Sequence, residues 1–200
     1  MNGQQSSGAI LAFHDACHGV PGWAKGSSQQ HASGFWQYAE LNHRFNCLLW
    51  DEEDLARRKQ VPDSEIAGNK RAIDSYNQKR NDAIEKMDES LLESLASTQR
   101  KVGARLNSET AGSMVDRLSI LSLKIHHMRL QTQRKDVERA HIESCAARLA
   151  RFLEQRQDLA GCFDRLLAEA SRGDAWFKIY RQFKMYNDPT LNPAVYGEKR

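Results

Sequence analysis

Apolar residues recur at steps of three and four through most of the chain, and four long stretches carry the pattern. Phe35, Tyr38, Leu41, Phe45, Leu48, Leu49 and Leu55 predict a helix over about residues 35–59, ended by Val61 and Pro62. Ile66, Ile73, Ile84, Met87 and Leu91 predict a second over about 64–95, capped by Asp63 or Ser64. A third begins after Ser108 and aligns Met114, Leu118, Leu121, Ile125 and Met128 on one face. Ile120, Leu123 and Leu130 occupy its other faces, the pattern of a central, buried helix. The fourth covers about 136–170, where Cys145, Leu149, Phe152, Leu159, Phe163 and Leu166 step as in a bundle seam, and Gly173 closes it. The expected fold is all-α, an antiparallel bundle of about four long helices in one domain over residues 34–196.

The two ends differ from this body. Residues 1–33 are rich in Gly, Ser and Gln around an apolar stretch from Ala9 to Trp23. They are expected to be a flexible segment carrying one short docking helix. Residues 175–186 are aromatic and basic and fit both a helical and an alternating template. A helix is the expectation there, forming an aromatic strap broken at Asn187-Asp188-Pro189.

Polar residues add information where they line up beside the apolar stripes. His43, Asn46, Trp50, Glu53 and Arg57 fall on one face of the first helix. Lys70, Asp74, Asn77 and Asn81 do so on the second, and Asp116, Lys124 and His127 lie toward one side of the third. Asn77 and Asn81 disfavour a helix interior by roughly half a kcal/mol each, so a merely solvated face would carry Glu or Lys instead. They point either to a buried polar network that fixes helix register or to a polar pocket between helices.

Composition narrows the partners. Of 200 residues, 29 are Lys or Arg and 26 Asp or Glu, a net charge of +3 with the signs interleaved, which argues against a nucleic-acid binder. No apolar run approaches the ~20 residues of a membrane span, and no signal peptide is visible, so a cytoplasmic location is expected. Cys17, Cys47, Cys145 and Cys162 lack Cys-x-x-Cys spacing and read as free thiols.

Two metal readings arise. Glu52, Glu53 and Asp54 with Glu85 and Asp88 offer hard carboxylates of the kind that hold Mg²⁺ or Mn²⁺ in nucleotide hydrolases, so such a cofactor is weighed while the metal itself stays unassigned. His14, Cys17 and His18 suit zinc, but no second cluster in the sequence completes a tetrahedral set, which favours a docked amphipathic piece. In the strap, Lys184 and Asn187 stand among aromatics that suit a stacked or phosphorylated ligand.

Four ordered blocks also carry a resemblance: residues 46–57, 70–88, 108–128 and 180–193. Together they resemble the bacterial domain of unknown function family 4254. The resemblance implies a helical protein and an association with glycosyltransferases of surface polysaccharide assembly. It also implies a His after the Trp of the first block, where this chain has Asp51. The expected function is therefore a polar inter-helix pocket for a small, polar, phosphorylated ligand such as a sugar nucleotide. In that pocket Glu53, Asp74 and Asp116 are the candidate acid–base groups. His43, Asn46, Trp50, Arg57, Lys70, Asn77, Asn81, Lys124, His127, Lys184 and Asn187 are the candidate binding groups. The alternatives are a non-enzymatic helical partner or scaffold of a glycosyltransferase and a divalent-metal nucleotide hydrolase, and the partners considered are a glycosyltransferase or further copies of this chain.

Overall fold

The computed structural model describes residues 5–26 and 30–197. Six helices and two short strands follow in order: α1 (Ser7–His18), α2 (Gly34–Leu55), α3 (Asp63–Ser94), β1 (Arg105–Leu106), α4 (Ala111–Thr132), α5 (Arg139–Ser171), β2 (Ala175–Trp176) and α6 (Pro193–Tyr196). The protein is mostly helical, as the periodicity predicts, and each long helix starts and stops within a few residues of its expected ends. Thr110 is the cap of α4, its hydroxyl accepting from Ser113 N–H.

α2 and α3 make the most extensive contact. Glu52 meets Asn69, Phe45 stacks on Tyr76, and the partner numbers rise on one helix as they fall on the other. α4 is buried over most of its circumference, with Val115, Leu118, Ser119, Ser122 and Ile125 fully shielded. It touches α1, α2, α3 and α5, the central place its all-round apolar pattern demands. Where α4 begins, it passes α3 backbone to backbone. A Cβ on Gly112 would lie 2.6 Å from the Ile84 carbonyl, so only glycine allows this approach.

α1 belongs to the core. Ile10 and His14 have no exposed surface, Ser7 bonds the Asp164 carboxylate of α5, and Asp15 pairs with Arg156 at 2.8 Å. The following turn is held from α2: Arg44 donates to the carbonyls of Trp23, Ala24 and Gly26 and lies over the Trp23 ring. Beside it, fully buried Glu40 accepts from the Gln30 and His31 backbone N–H groups and pairs with Arg44 at 3.3 Å. The expectation of flexibility at residues 1–4 and 27–29 lies outside the described residues.

The C-terminal segment departs from expectation. Residues 175–180 are extended, not helical, with Ala175 and Phe177 buried and Lys178 and Tyr180 exposed. β2 pairs in parallel with β1, Arg105 opposite Ala175 and Leu106 opposite Trp176. The alternating template prevails because a non-local strand partner satisfies the backbone.

Candidate functional site

Five of the expected residues line one groove. Asn46, Trp50 and Glu53 of α2, with Arg57 in the turn just beyond its end, face Asn77 and Arg80 of α3 across a cavity of about 350 Å³, with Leu49, Ile120 and Leu123 as its apolar wall. The α2 residues arrive together because steps of three and four hold them on one face. Arg57 pairs with Glu53 across one helical turn at the exposed rim.

The floor is a buried polar network. Asp116 Oδ1 accepts from Asn42 Nδ2 and Asn46 Nδ2, each at 2.8 Å. Ser119 Oγ accepts from Asn46 at 3.0 Å and meets His43 Nδ1 at 2.8 Å. Arg80 Nε stands 3.9 Å from Asp116 Oδ1, buried and without a hydrogen bond among the described residues. Asn77, half-buried on the groove wall, likewise has no hydrogen-bond partner there. His127 stacks face to face on Trp50, centroids 4.4 Å apart.

Other expected residues lie elsewhere. Lys70 and Asp74 pair with each other at 3.1 Å, with two thirds of each side chain in solvent (65% and 66%). They form a solvated i, i+4 pair and are not part of the groove. Lys124 projects to the opposite side of α4, over the Phe152 ring and into a separate cavity against α5. Asn81 lies one turn beyond Asn77, but its amide donates to Gln182 of the strap at 2.9 Å. Lys184 and Asn187 remain on that strap, which Arg181 ties to Glu85 and Glu89.

The carboxylate reading fails on geometry. Glu52 bonds Asn69 and Glu53 bonds Arg57, whereas Glu85 bonds Arg181 and buried Asp88 accepts from Gly112 N–H. Residues 69 and 85 of α3 are separated by about 24 Å of helix, so these acids do not converge on one Mg²⁺ or Mn²⁺ ion.

Behind the groove floor lies a cluster that sequence spacing only half disclosed. His43 stacks on His14 at 4.4 Å, His18 on His126 at 4.6 Å, and Cys47 Sγ is 3.9 Å from His43 Nε2. Burial disfavours the charged form of three of these imidazoles, His14, His18 and His43. It lowers His14 to about 3 and His18 to about 4, and it holds His43 well below its ordinary value. The same desolvation pushes the Cys17 and Cys47 thiols up to about 12. A cavity of about 300 Å³, lined by Cys17, His18, Cys47, Asp51, His126 and His127 among others, opens onto the cluster. Leu123 borders both this cavity and the groove, and the Trp50–His127 stack stands between them.

A family model described as Protein of unknown function (DUF4254) matches residues 36–179. The chain belongs to this family. No curated protein and no solved structure matches the chain. The DUF4254 segment contains every groove residue, together with His43, Cys47 and both histidines of α4. α1 with His18 precedes it, and the exposed end of the strap follows it. Among the described residues no helix is long and apolar enough to cross a membrane.

Sequence reasoning missed Asn42, Ser119 and the Glu40–Arg44 clamp, and it placed Arg80 beside the asparagines without counting it among the site residues. Arg80 sits three residues after Asn77, a same-face spacing that marks it. Glu40 and Arg44 are separated by four and look like an ordinary surface pair.

Proposed function

We propose that the groove between α2, α3 and α4 binds a small, polar, phosphorylated ligand, with sugar nucleotides as the class to test first. The observation that carries this is a pair of incompletely hydrogen-bonded polar groups on one wall. Arg80 presents a buried Nε with no hydrogen bond, and Asn77 is an unpartnered amide at a position where Asn disfavours the helix. A network built only for register would satisfy its members. Trp50, stacked on His127, supplies an aromatic wall for a base or sugar ring. Arg57 and Arg80 balance Glu53 and Asp54 among the lining charges, which suits a ligand with both hydroxyls and phosphate. The volume falls at the lower end of the ~300–1,000 Å³ range of small-molecule sites. Glu53 is then the carboxylate at the rim and Asp116 the residue that positions Asn42 and Asn46.

Thermal shift and calorimetry against nucleotide sugars, with and without Mg²⁺, test this. A ligand-dependent rise in Tm is expected, and R80Q and N77A should each abolish it while leaving the unliganded Tm within a few degrees. A shift that survives both substitutions removes the groove from the binding site.

A second reading is favoured by the strap, where Phe183 is 86% exposed and Tyr180, Met185 and Tyr186 are also open to solvent. In it the chain is a docking partner of a glycosyltransferase. Deleting residues 180–186 should then abolish co-sedimentation with that enzyme and leave ligand-induced Tm shifts unchanged.

A further inference from the structure

We infer that His18, His43 and Cys47 form a zinc site with three protein ligands and a fourth position open to the adjoining cavity. Among the described residues, one ligand atom from each of these three side chains lies within 4.8 Å of the others. A tetrahedral ion with Zn–N near 2.0 Å and Zn–S near 2.3 Å separates such donors by about 3.6 Å. The 3.9 Å between Cys47 Sγ and His43 Nε2 is therefore a few tenths of an ångström from a ligating distance.

The surrounding hydrogen bonds select the ligating nitrogens. Ser122 O–H donates to Asp15 Oδ1 at 3.1 Å, and Arg156 holds that carboxylate. With its proton so engaged, Ser122 Oγ accepts from His18 Nε2–H at 2.9 Å, leaving the Nδ1 lone pair for a metal. His43 meets Ser119 Oγ through Nδ1 at 2.8 Å, so Nε2, the nitrogen beside Cys47, is its ligating atom. A metal-bound histidine is oriented in this way, its second nitrogen held by a polar partner that fixes ring and tautomer. His43 and Cys47 are separated by four on α2 and share a face, while His18 comes from the last turn of α1.

The donor set selects the metal. Two imidazoles and a thiolate suit zinc and also copper, but the copper centres built from this set most often add a weak axial thioether. No methionine is among the residues lining the cavity, whose other polar side chains are Lys25, Asp51, His126 and His127. Water or an anionic oxygen is the fourth ligand expected there. Zinc binding deprotonates the Cys47 thiol and releases that proton to solvent.

The test uses the full chain stripped of metal and titrated with Zn²⁺ and with Co²⁺ as a spectroscopic stand-in. One equivalent of each should bind. The Co²⁺ form should show a thiolate charge-transfer band together with tetrahedral d–d bands. C47S, at a half-buried position, should lose the charge-transfer band and weaken Zn²⁺ at least 100-fold. S122A, which touches no metal, should weaken it about 10–100-fold. C162S, on the exposed face of α5, should change neither. Circular dichroism confirms that each variant is folded, and if C47S does not fold, S122A and H18Q replace it. Absence of stoichiometric Zn²⁺, a charge-transfer band that survives C47S, or a preparation that takes copper and refuses zinc would each overturn the assignment. None of these readouts depends on a ligand in the groove.

Discussion

Asp88 shows how one buried acid ties pH to stability. It is nearly inaccessible, and its carboxylate accepts the Gly112 N–H at 2.6 Å where α4 begins. Burial raises its pKa from 3.8 to about 6, although hydrogen bonds from Thr110 and Gly112 pull the other way. The folded state therefore holds this proton more tightly than the unfolded chain. The stability it contributes is fully present below pH 3.8 and is lost as pH rises through about 6. D88N keeps an oxygen for Gly112 and cannot ionise. Urea midpoints measured across pH 3.8 to 7 should show D88N gaining on the wild type as pH rises and levelling off above the shifted pKa. A constant difference between the two proteins would show that Asp88 titrates normally.

Among the elements, the turn that feeds β2 has the strictest local requirement. Gly173 ends α5 with φ 75°, and Asp174 N–H reaches back to the Glu169 carbonyl, the wrap that terminates a helix in a left-handed residue. A Cβ there would also lie 2.2 Å from the Gln99 carbonyl oxygen. Gly22 has φ 70° with open space around it, so it isolates the conformational part of the effect. In denaturant titrations G22A should lose about 1 kcal/mol and G173A at least about 2 kcal/mol, the excess reporting the clash. Gly173 as a helix stop was legible because the apolar stripe of α5 ends just before it. The strand that follows was not, because its partner, Arg105–Leu106, lies some seventy residues away and leaves no mark in local periodicity. The same limit explains the site. Spacing told which polar residues share a helix face, and on α2 that face is the groove. It does not tell which face of α3 meets α2 and α4, so it groups Lys70 and Asp74 with Asn77 although they point to solvent. Nor did it show that His18 of α1 and the His43–Cys47 pair of α2 meet, since each alone is an incomplete ligand set.

At the scale of the whole molecule, the N-terminal turn is fastened to the helices by the Glu40–Arg44 pair. Glu40 has no exposed surface and Arg44 almost none, yet neither charge is left idle. Glu40 accepts from the Gln30 and His31 backbone N–H groups, and Arg44 donates to the Trp23, Ala24 and Gly26 carbonyls. The two residues thus hold residues 23–26 and 30–31 and also pair with each other at 3.3 Å. Removing one member leaves the other charged, desolvated and short of a partner, which costs about 3–5 kcal/mol for a buried pair. E40Q should therefore lower the urea midpoint far more than R57A, whose exposed pair with Glu53 contributes at most about 1 kcal/mol. The segment held by the clamp should open first. Trypsin cleavage after Lys25, slow in the wild type while the Gly22 and Trp23 carbonyls hold the turn, should accelerate at least tenfold in E40Q under conditions where the long helices persist by circular dichroism. Cleavage that stays slow until the whole chain unfolds would show that α1 and its turn belong to the same cooperative unit as α2 to α5. The clamp would then contribute only to global stability.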